Sequence, residues 1–431
     1  MFCQLETLQQ CLPQSVRRTL NELPDSLDET YERLMMEIKK TNQVHTYRML
    51  QCLTVAVRPL AVAELAEVLA FDFDVGKDGI PRLNSDWRWE DHEQAVLSTC
   101  SSLITVVPGD ESPVVQFSHF SVKEFLMSDR LAMSTGDISQ YHISHSDAHT
   151  MFARACLGVL LRDPDVTNRT DPLAGYAAEY WVAHAQVENV ASRVRGGMED
   201  LFDPDKPYFE AWIQSHHVRH PGWGYRPEGQ DPRARTLYHA ALCGFQELVE
   251  HLILKYPQCT SARGGSLGTA LHSASFKGHL QIVRSLLRHC VDVDVRGYAN
   301  RTPLSLASQS GHRSVVQCLI DRGADVNSRQ DDHDTPLIWA AHGGHVDVVR
   351  MLLKHHADVN SSGDDGCTPL HNTVFGSEVI SKEDYLQVLR LLLEHGANVD
   401  AKDTYGRTPL KMALQYKHGE IAQLLSEFRS G

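Results

Sequence analysis

Several signatures that would settle a function are missing from these 431 residues. No run of 18 apolar residues occurs, and no basic segment leads into a short apolar one, so neither a membrane span nor a secretory leader is read. The pattern G-x-x-x-x-G-K-[ST] is absent, which leaves no glycine loop to cradle phosphates and no lysine to reach them. Ten cysteines occur without C-x-x-C or zinc-like spacing. Several of them (Cys52, Cys156, Cys318) fall on apolar helix faces, which is the usage of reduced thiols inside a cell, and a cytoplasmic protein is expected. Basic charge is short as well. Lys and Arg number 41 against 55 Asp and Glu, and residues 1–235 carry −12 of the net −14 while residues 236–431 carry −2. Nucleic acid binding relies on basic surface, so no nucleic acid partner is expected.

What is present is a repeat. TLYHAALCGF begins at Thr236, TALHSASFKGH at Thr269, TPLSLASQSGH at Thr302, TPLIWAAHGGH at Thr335 and TPLHNTVFG at Thr368, each 33 residues after the last. TPLKMALQYKHG follows at Thr408, after a gap of 40. Each unit reads as two short helices. Thr-Pro opens the first, since proline suits the first helical turn. Gly-His ends it, glycine being the usual residue past a helix end. Residues such as Val315, Val316, Leu319 and Ile320 then make one apolar stripe on the second. One pair cannot bury its stripe alone, but stacked pairs can. A 33-residue period opening T-P-L-H-x-A resembles the ankyrin repeat, which implies an α-solenoid with a protein-binding surface.

The irregularities have readings too. The first unit is degenerate, with Tyr238 out of pattern and GGSLG in its tip, as a cap can be. The sixth stops near Leu424-Leu425-Ser426. The fifth carries seven extra residues, read as a protruding loop at about 376–384. Most of the 24 histidines recur in repeat phase (His239, His272, His371; His279, His312, His345). They are read as scaffold, and no metal site is expected.

The N-terminal half reads as helices with a short sheet. PDSLDETYERLMMEIKK has a capping box at Ser26 and Glu29. HTYRMLQCLTVAV and AVAELAEVLAF read as helices broken at Arg58-Pro59-Leu60. SLITVV (102–107) and VVQFSHF (114–120) read as two strands, and SVKEFLMSDRL as a helix boxed by Ser121 and Glu124. Three helices with a two-stranded wing suggest a winged helix. Helical segments MFARACLGVLLR, PLAGYAAEYWVAHAQVENV and VASRVRGGMEDLF follow, with Tyr180 and Trp181 read as core. HHVRHPGWGYRPEGQDPRAR (216–235) reads as a linker or irregular cap.

DSLDETYERLMMEI, CLTVAVRPLAVAELAEVLAFD and FSHFSVKEFLMS resemble the segment that follows the NACHT nucleotide-binding module in fungal ankyrin-repeat proteins of the STAND class. The resemblance implies a mostly α chain: a winged-helix-like domain over 1–130, a helical linker region over 131–235 and an ankyrin solenoid over 236–431. The repeats fall at about 236–268, 269–301, 302–334, 335–367, 368–407 and 408–431. The chain opens about where the NACHT module of such proteins should already have ended. The module is therefore expected upstream in a longer protein, or missing from a short form. NTPase activity is not carried over, hydrolase activity of the lipase kind is not expected, and the chain is read as a non-enzymatic interaction or scaffold protein without cofactors. In related switch proteins a Met-His-Asp triplet contacts ADP; His119 alone matches it, and is read as filling a strand-to-helix corner.

Ankyrin-type arrays bind through turn tips and exposed ends of the first helices, here the concave face. The period places Tyr298, Asp331, Asp332, His333, Asp364, Asp365 and Tyr405 at the tips. It places Phe276, Lys277, Gln309, His342 and Tyr416 at the helix ends, and Trp339 within the fourth repeat. Two adjacent Asp-Asp tips imply a protein partner with a basic or amide-rich segment.

Overall fold

The computed structural model describes residues 27–74, 79–100, 102–110, 112–134, 137–162, 171–219, 231–289, 291–376 and 382–430. They fall into two compact units, within residues 1–220 and 221–431.

The first unit opens with α1 (Leu27–Met36), which buries Tyr31 and Met35. Ser26 of the expected capping box lies outside the described residues. Helix α2 (Gln43–Val55) stops ahead of Pro59, whose ring disfavours helix in the residue before it. Strand β1 (Leu60–Ala61) and α3 (Val62–Leu69) follow. A two-stranded ribbon, β2 (Phe71–Asp72) with β3 (Arg82–Leu83), leads on to α4 (His92–Cys100). The β-branched runs β4 (Ile104–Val107) and β5 (Val114–Phe117) pair antiparallel, Val106 opposite Val115. Leu60 also pairs with Val115, so the sheet has three strands in the order β1-β5-β4, one more than the expected wing. A two-residue strand shows no period and is invisible in the sequence. Three helices with this sheet form a winged helix.

Helix α5 (Phe120–Leu126) corrects a second expectation. Its cap is His119, whose Nδ1 accepts the Ser121 amide at 3.3 Å, and not Ser121. The Ser121 hydroxyl instead stands 2.6 Å from His119 Nδ1 and 2.7 Å from the Tyr31 hydroxyl, tying α5 to α1. A one-turn helix, α6 (Asp129–Ala132), completes this part.

Helices α7 (His145–Leu160), α8 (Ala174–Ala185), α9 (Val190–Arg193), α10 (Arg195–Leu201) and α11 (Tyr208–Arg219) pack onto the winged helix in the same unit. Arg88 bridges Glu67 of α3 and Asp171 ahead of α8, and Glu67 Oε2 also accepts the Leu173 amide at 3.0 Å. Trp181 is core, edge-on to Trp212 at 5.3 Å and beside Phe202. Tyr180 is half-buried, with the Arg58 guanidinium 5.7 Å above its ring. The stretch expected as a linker, 216–235, begins within the end of α11, passes outside the described residues at 220–230, and finishes at the Asp231 cap and first turn of the next helix.

The second unit is six helix pairs: α12 (Pro232–Cys243) with α13 (Gln246–Lys255), α14 (Ala270–Lys277) with α15 (Leu280–Arg288), α16 (Pro303–Gln309) with α17 (Arg313–Asp321), α18 (Pro336–His342) with α19 (Val346–Lys354), α20 (Pro369–Gly376) with α21 (Lys382–Glu394), and α22 (Pro409–Gln415) with α23 (Gly419–Ser430). Thr302, Thr335 and Thr408 cap their helices with proline next in line. In the first unit of the array the helix starts four residues ahead of Thr236. In the fifth, residues 377–381 of the expected loop lie outside the described residues, while 382–384 are already helix. Helix α21 has 13 residues against nine in α19, so the insertion adds a turn at its start. The final helix runs on to Ser430, past the expected stop.

Candidate partner-binding face

Two histidine sets hold the array in register. His272 and His371 accept the amides of Thr269 and Thr368 on Nδ1, both at 3.2 Å. The ring proton is then on Nε2, which donates to the Arg301 and Arg407 carbonyls at 3.0 and 3.1 Å. In the second set, Nε2 of His279, His312 and His345 lies 3.3, 2.9 and 3.0 Å from the carbonyls of Leu242, Phe276 and Gln309. Those carbonyls close the preceding first helices and lack partners within them. The scaffold reading of these histidines therefore acquires a purpose. They pin the backbone of the helix-end residues proposed to meet a partner.

Along that row Phe276 is half-buried, with Lys277 exposed and its ammonium 5.7 Å over the Phe276 ring. Gln309 is half-buried and its Oε1 accepts from Arg301 Nη1 at 3.3 Å. Arg301 stacks 4.9 Å over the Trp339 ring and donates from Nε to Gln330 at 3.2 Å. Trp339 is half-buried, and its indole nitrogen, shut off from solvent, makes no hydrogen bond among the described residues. His342 stands edge-on to it at 6.1 Å, and partial burial lowers its pKa. Tyr416 is half-buried, 5.6 Å from the Phe375 ring. Trp339 and Gln309 thus converge on Arg301, and His342 stands beside Trp339. Sequence reasoning missed Arg301 and Phe375. Phe375 follows Thr368 by seven residues, the offset of Phe276, Gln309 and His342 from their own threonines, and that offset could have found it.

The tips are joined to one another. Asn300 Nδ2 donates to Asp331 Oδ1 at 2.5 Å, and His333 Nδ1 is 2.6 Å from Asp364 Oδ1. Asp332 and Asp365 fold their own hairpins, accepting the amides of Asp334 at 3.2 Å and Cys367 at 2.8 Å. Arg263 and Arg296, 33 residues apart, each reach the equivalent backbone one repeat on, at the Arg296 and Arg329 carbonyls. Asp331, Asp332, Asp364 and Asp365 are all exposed, and so are Tyr298 at 69% and Tyr405 at 79%. Arg407 covers the Tyr405 ring at 4.9 Å and pairs with the buried Asp403. Asp334 was not foreseen. Burial pushes its carboxyl up to about 7, and the charges of Asp332 and Asp365 push the same way.

Two other positions complete the picture. His119 is exposed at its corner, its ring 4.4 Å from Phe120, and acts in the fold as a helix cap. The string Gly264-Gly265-Ser266-Leu267-Gly268 fits the letters of the hydrolase pattern G-x-S-x-G. It sits at a hairpin tip, however, and not on the strand-to-helix turn that the nucleophile needs, and Ser266 bonds to the Tyr238 hydroxyl. Among the described residues no three His, Cys, Asp or Glu are grouped to hold a metal ion, and no helix is long and apolar enough to cross a membrane.

Comparison with known proteins agrees with this architecture. Residues 237–330 and 324–382 match the model for ankyrin repeats (3 copies), and residues 378–425 that for ankyrin repeats (many copies). Residues 31–137 match the winged helix domain of GPI inositol-deacylase. The chain is similar to azaphilone pigments biosynthesis cluster protein L of Monascus ruber, 29% identical over 298 residues, which is 64% of this chain and 61% of that protein. The chain therefore spans about three fifths of that relative's length. Ankyrin repeats are non-catalytic protein-interaction modules. A NACHT-associated winged helix at 31–137 followed by ankyrin repeats over 237–425 matches the domain order of a fungal NACHT-type protein that lacks the NACHT module.

Proposed function

We propose that the chain is a non-enzymatic, cytoplasmic interaction protein that captures a protein partner on the concave row Phe276, Gln309, His342 and Phe375 and on the tips around Asp331, Asp364 and Tyr405. The first unit then couples capture to a nucleotide-binding module, in the manner of STAND signalling proteins. The observation that carries this reading is Arg301 stacked on Trp339 beside His342. Arginine and tryptophan are the usual anchors of interfaces, and these two are already held in place. The acidic tips favour a partner with a basic or amide-rich segment.

A second reading is that the physiological protein is a complete NACHT NTPase switch of which this chain is one part; the partial coverage of the relative favours it. That relative is named for a pigment biosynthesis cluster, so proteins encoded beside this chain's own gene are the first partners to screen. The decisive experiment is affinity capture with the whole chain and with Trp339→Ala and Asp331→Asn/Asp364→Asn variants. A partner lost by the first and weakened by the second supports the interaction reading; equal capture by all three removes it. Tight retention of ADP by the purified chain would overturn the non-enzymatic assignment.

A further inference from the structure

A continuous chain of hydrogen bonds runs through the first unit, apart from the partner-binding face. The Val57 amide, at the corner between α2 and β1, donates to the Tyr176 hydroxyl at 3.0 Å. That hydroxyl lies 2.9 Å from His184 Nε2. His184 Nδ1 is 2.8 Å from His149 Nδ1, and His149 Nε2 is 3.3 Å from His145 Nε2. Tyr176 and His184 are fully buried, His149 is 8% exposed and His145 is exposed. Three rings and a phenol connect the α2–β1 corner, where Val57 is itself 52% exposed, to His145 at the surface.

Proton counting restricts this chain. Two ring nitrogens facing each other need one proton between them, neither none nor two. In one order Tyr176 donates to His184, His184 Nδ1 to His149 and His149 Nε2 to His145. Every donor then has an acceptor. In the reverse order His145 donates inward, and His184 Nε2 donates to a Tyr176 oxygen that already accepts from Val57. The phenol proton is then stranded in the interior, so the outward order holds while all three rings are neutral. Burial keeps His149 at about 4 and His184 at about 3, so neither inner ring takes a proton of its own near neutrality.

We propose that His145, His149, His184 and Tyr176 form a proton-responsive relay, holding the α2–β1 corner to the α7–α8 pair while His145 is neutral and loosening it when His145 is protonated. A protonated His145 carries hydrogen on both nitrogens and confronts the His149 Nε2 donor. Its ring is packed 4.4 Å from that of His149, which favours reversal of the chain over departure of the ring. Reversal strands the Tyr176 proton and weakens the bond to Val57. Charged and titratable groups stand around the relay on several elements. Lys123 of α5 and His145 act on His149. Cys52 of α2, Cys156 of α7 and Arg58 act on Tyr176, and Arg58 is held by Glu64 of α3. Asp147 of α7 faces Tyr47 of α2 and pairs with Arg193 of α9. Arg195 and Glu199 of α10 pair with each other.

The test is 15N-histidine NMR and amide exchange on the full chain at about pH 7.5 and about pH 5.5. At the higher pH His184 should carry its proton on Nδ1 and His149 on Nε2. At the lower pH both tautomers should reverse, and the Val57 protection factor should fall about tenfold, the size of one lost hydrogen bond. His145→Ala should abolish the pH response. Tyr176→Phe should leave Val57 unprotected at both pH values. Unchanged tautomers in the native chain, as a ring that merely swings out would give, overturn the proposal. So does a His145→Ala variant that responds as the native chain does.

Discussion

The Tyr385 hydroxyl donates to the carbonyl of His342 at 2.8 Å. Tyr385 stands just ahead of the segment Leu386–Glu394, where His345 stands just ahead of Val346–Lys354, and it does for the fourth repeat what His345 does for the third. The seven-residue insertion thus keeps the cross-repeat clasp while changing the residue that makes it. Tyr385→Phe should leave that carbonyl unpaired and lower the stability of the array by about 1–2 kcal/mol. Amide exchange on the full chain should show the loss concentrated in α18 and α21, the two helices the bond joins; loss spread evenly over all six pairs would contradict the clasp.

Acid should weaken the array through the buried histidines. Burial holds His272 at about 4, below its ordinary 6.5, and lowers His279, His312 and His371 in the same direction. The unfolded chain therefore binds protons first. The contribution of each ring is intact above about pH 6.5 and is lost as pH falls toward the folded value, with an upper limit near 3 kcal/mol for His272. Thermal melts from about pH 7.5 to about pH 4.5 should show Tm falling through this window. His272→Asn should fall less steeply.

How much of this was legible depends on length scale. The period shows the six pairs, the Thr-Pro helix starts and the scaffold histidines, because each is a local rule repeated at fixed spacing, while the capping role of Thr302, Thr335 and Thr408 comes from the structure. The first strand escaped because Leu60 and Ala61 are too short to show a period. The insertion was read as loop because sequence shows extra residues but not that four of them extend a helix. Arg301 and Asp334 escaped for another reason. Both precede a threonine by one residue, and only the stacking of adjacent repeats brings the first over Trp339 and crowds the second among Asp332 and Asp365. The His145–Tyr176 relay joins residues from separate helices, which no single-helix pattern reports.

The middle tips should be less acidic at neutral pH than their five aspartates imply. Asp334 has its pKa raised to about 7, so its protonated form is favoured by folding. That contribution is full below the unfolded carboxyl value near 4 and is lost as pH rises through about 7. Asp334→Asn should remove this loss, giving a Tm that declines less between about pH 5 and about pH 8. A basic partner should bind the native chain more tightly as pH rises through 7, since its charge favours the ionised carboxyl. Isothermal titration at both ends of the range reads the second effect directly, and an equal slope in Asp334→Asn would exclude Asp334 as its source.

The oddities of the first repeat are a matched pair. Tyr238 is 3% exposed and fills the space under the hairpin tip, where its hydroxyl accepts the Leu267 amide at 3.4 Å. A Cβ on Gly265 would lie 2.2 Å from that ring, and one on Gly264 would lie 2.1 Å from the Ala234 carbonyl. The two clashes differ in kind. The first is with a side chain that can be exchanged, the second with backbone that cannot. Gly265→Ala alone should therefore cost about 1–3 kcal/mol by overpacking. Combined with Tyr238→Leu, it should cost less than the two single changes added together. Gly264→Ala should gain no such relief from Tyr238→Leu. Urea melts of the single and double variants complete the cycle; additive costs for Gly265→Ala with Tyr238→Leu would mean that the tip glycines serve the backbone alone, and that Tyr238 is incidental to them.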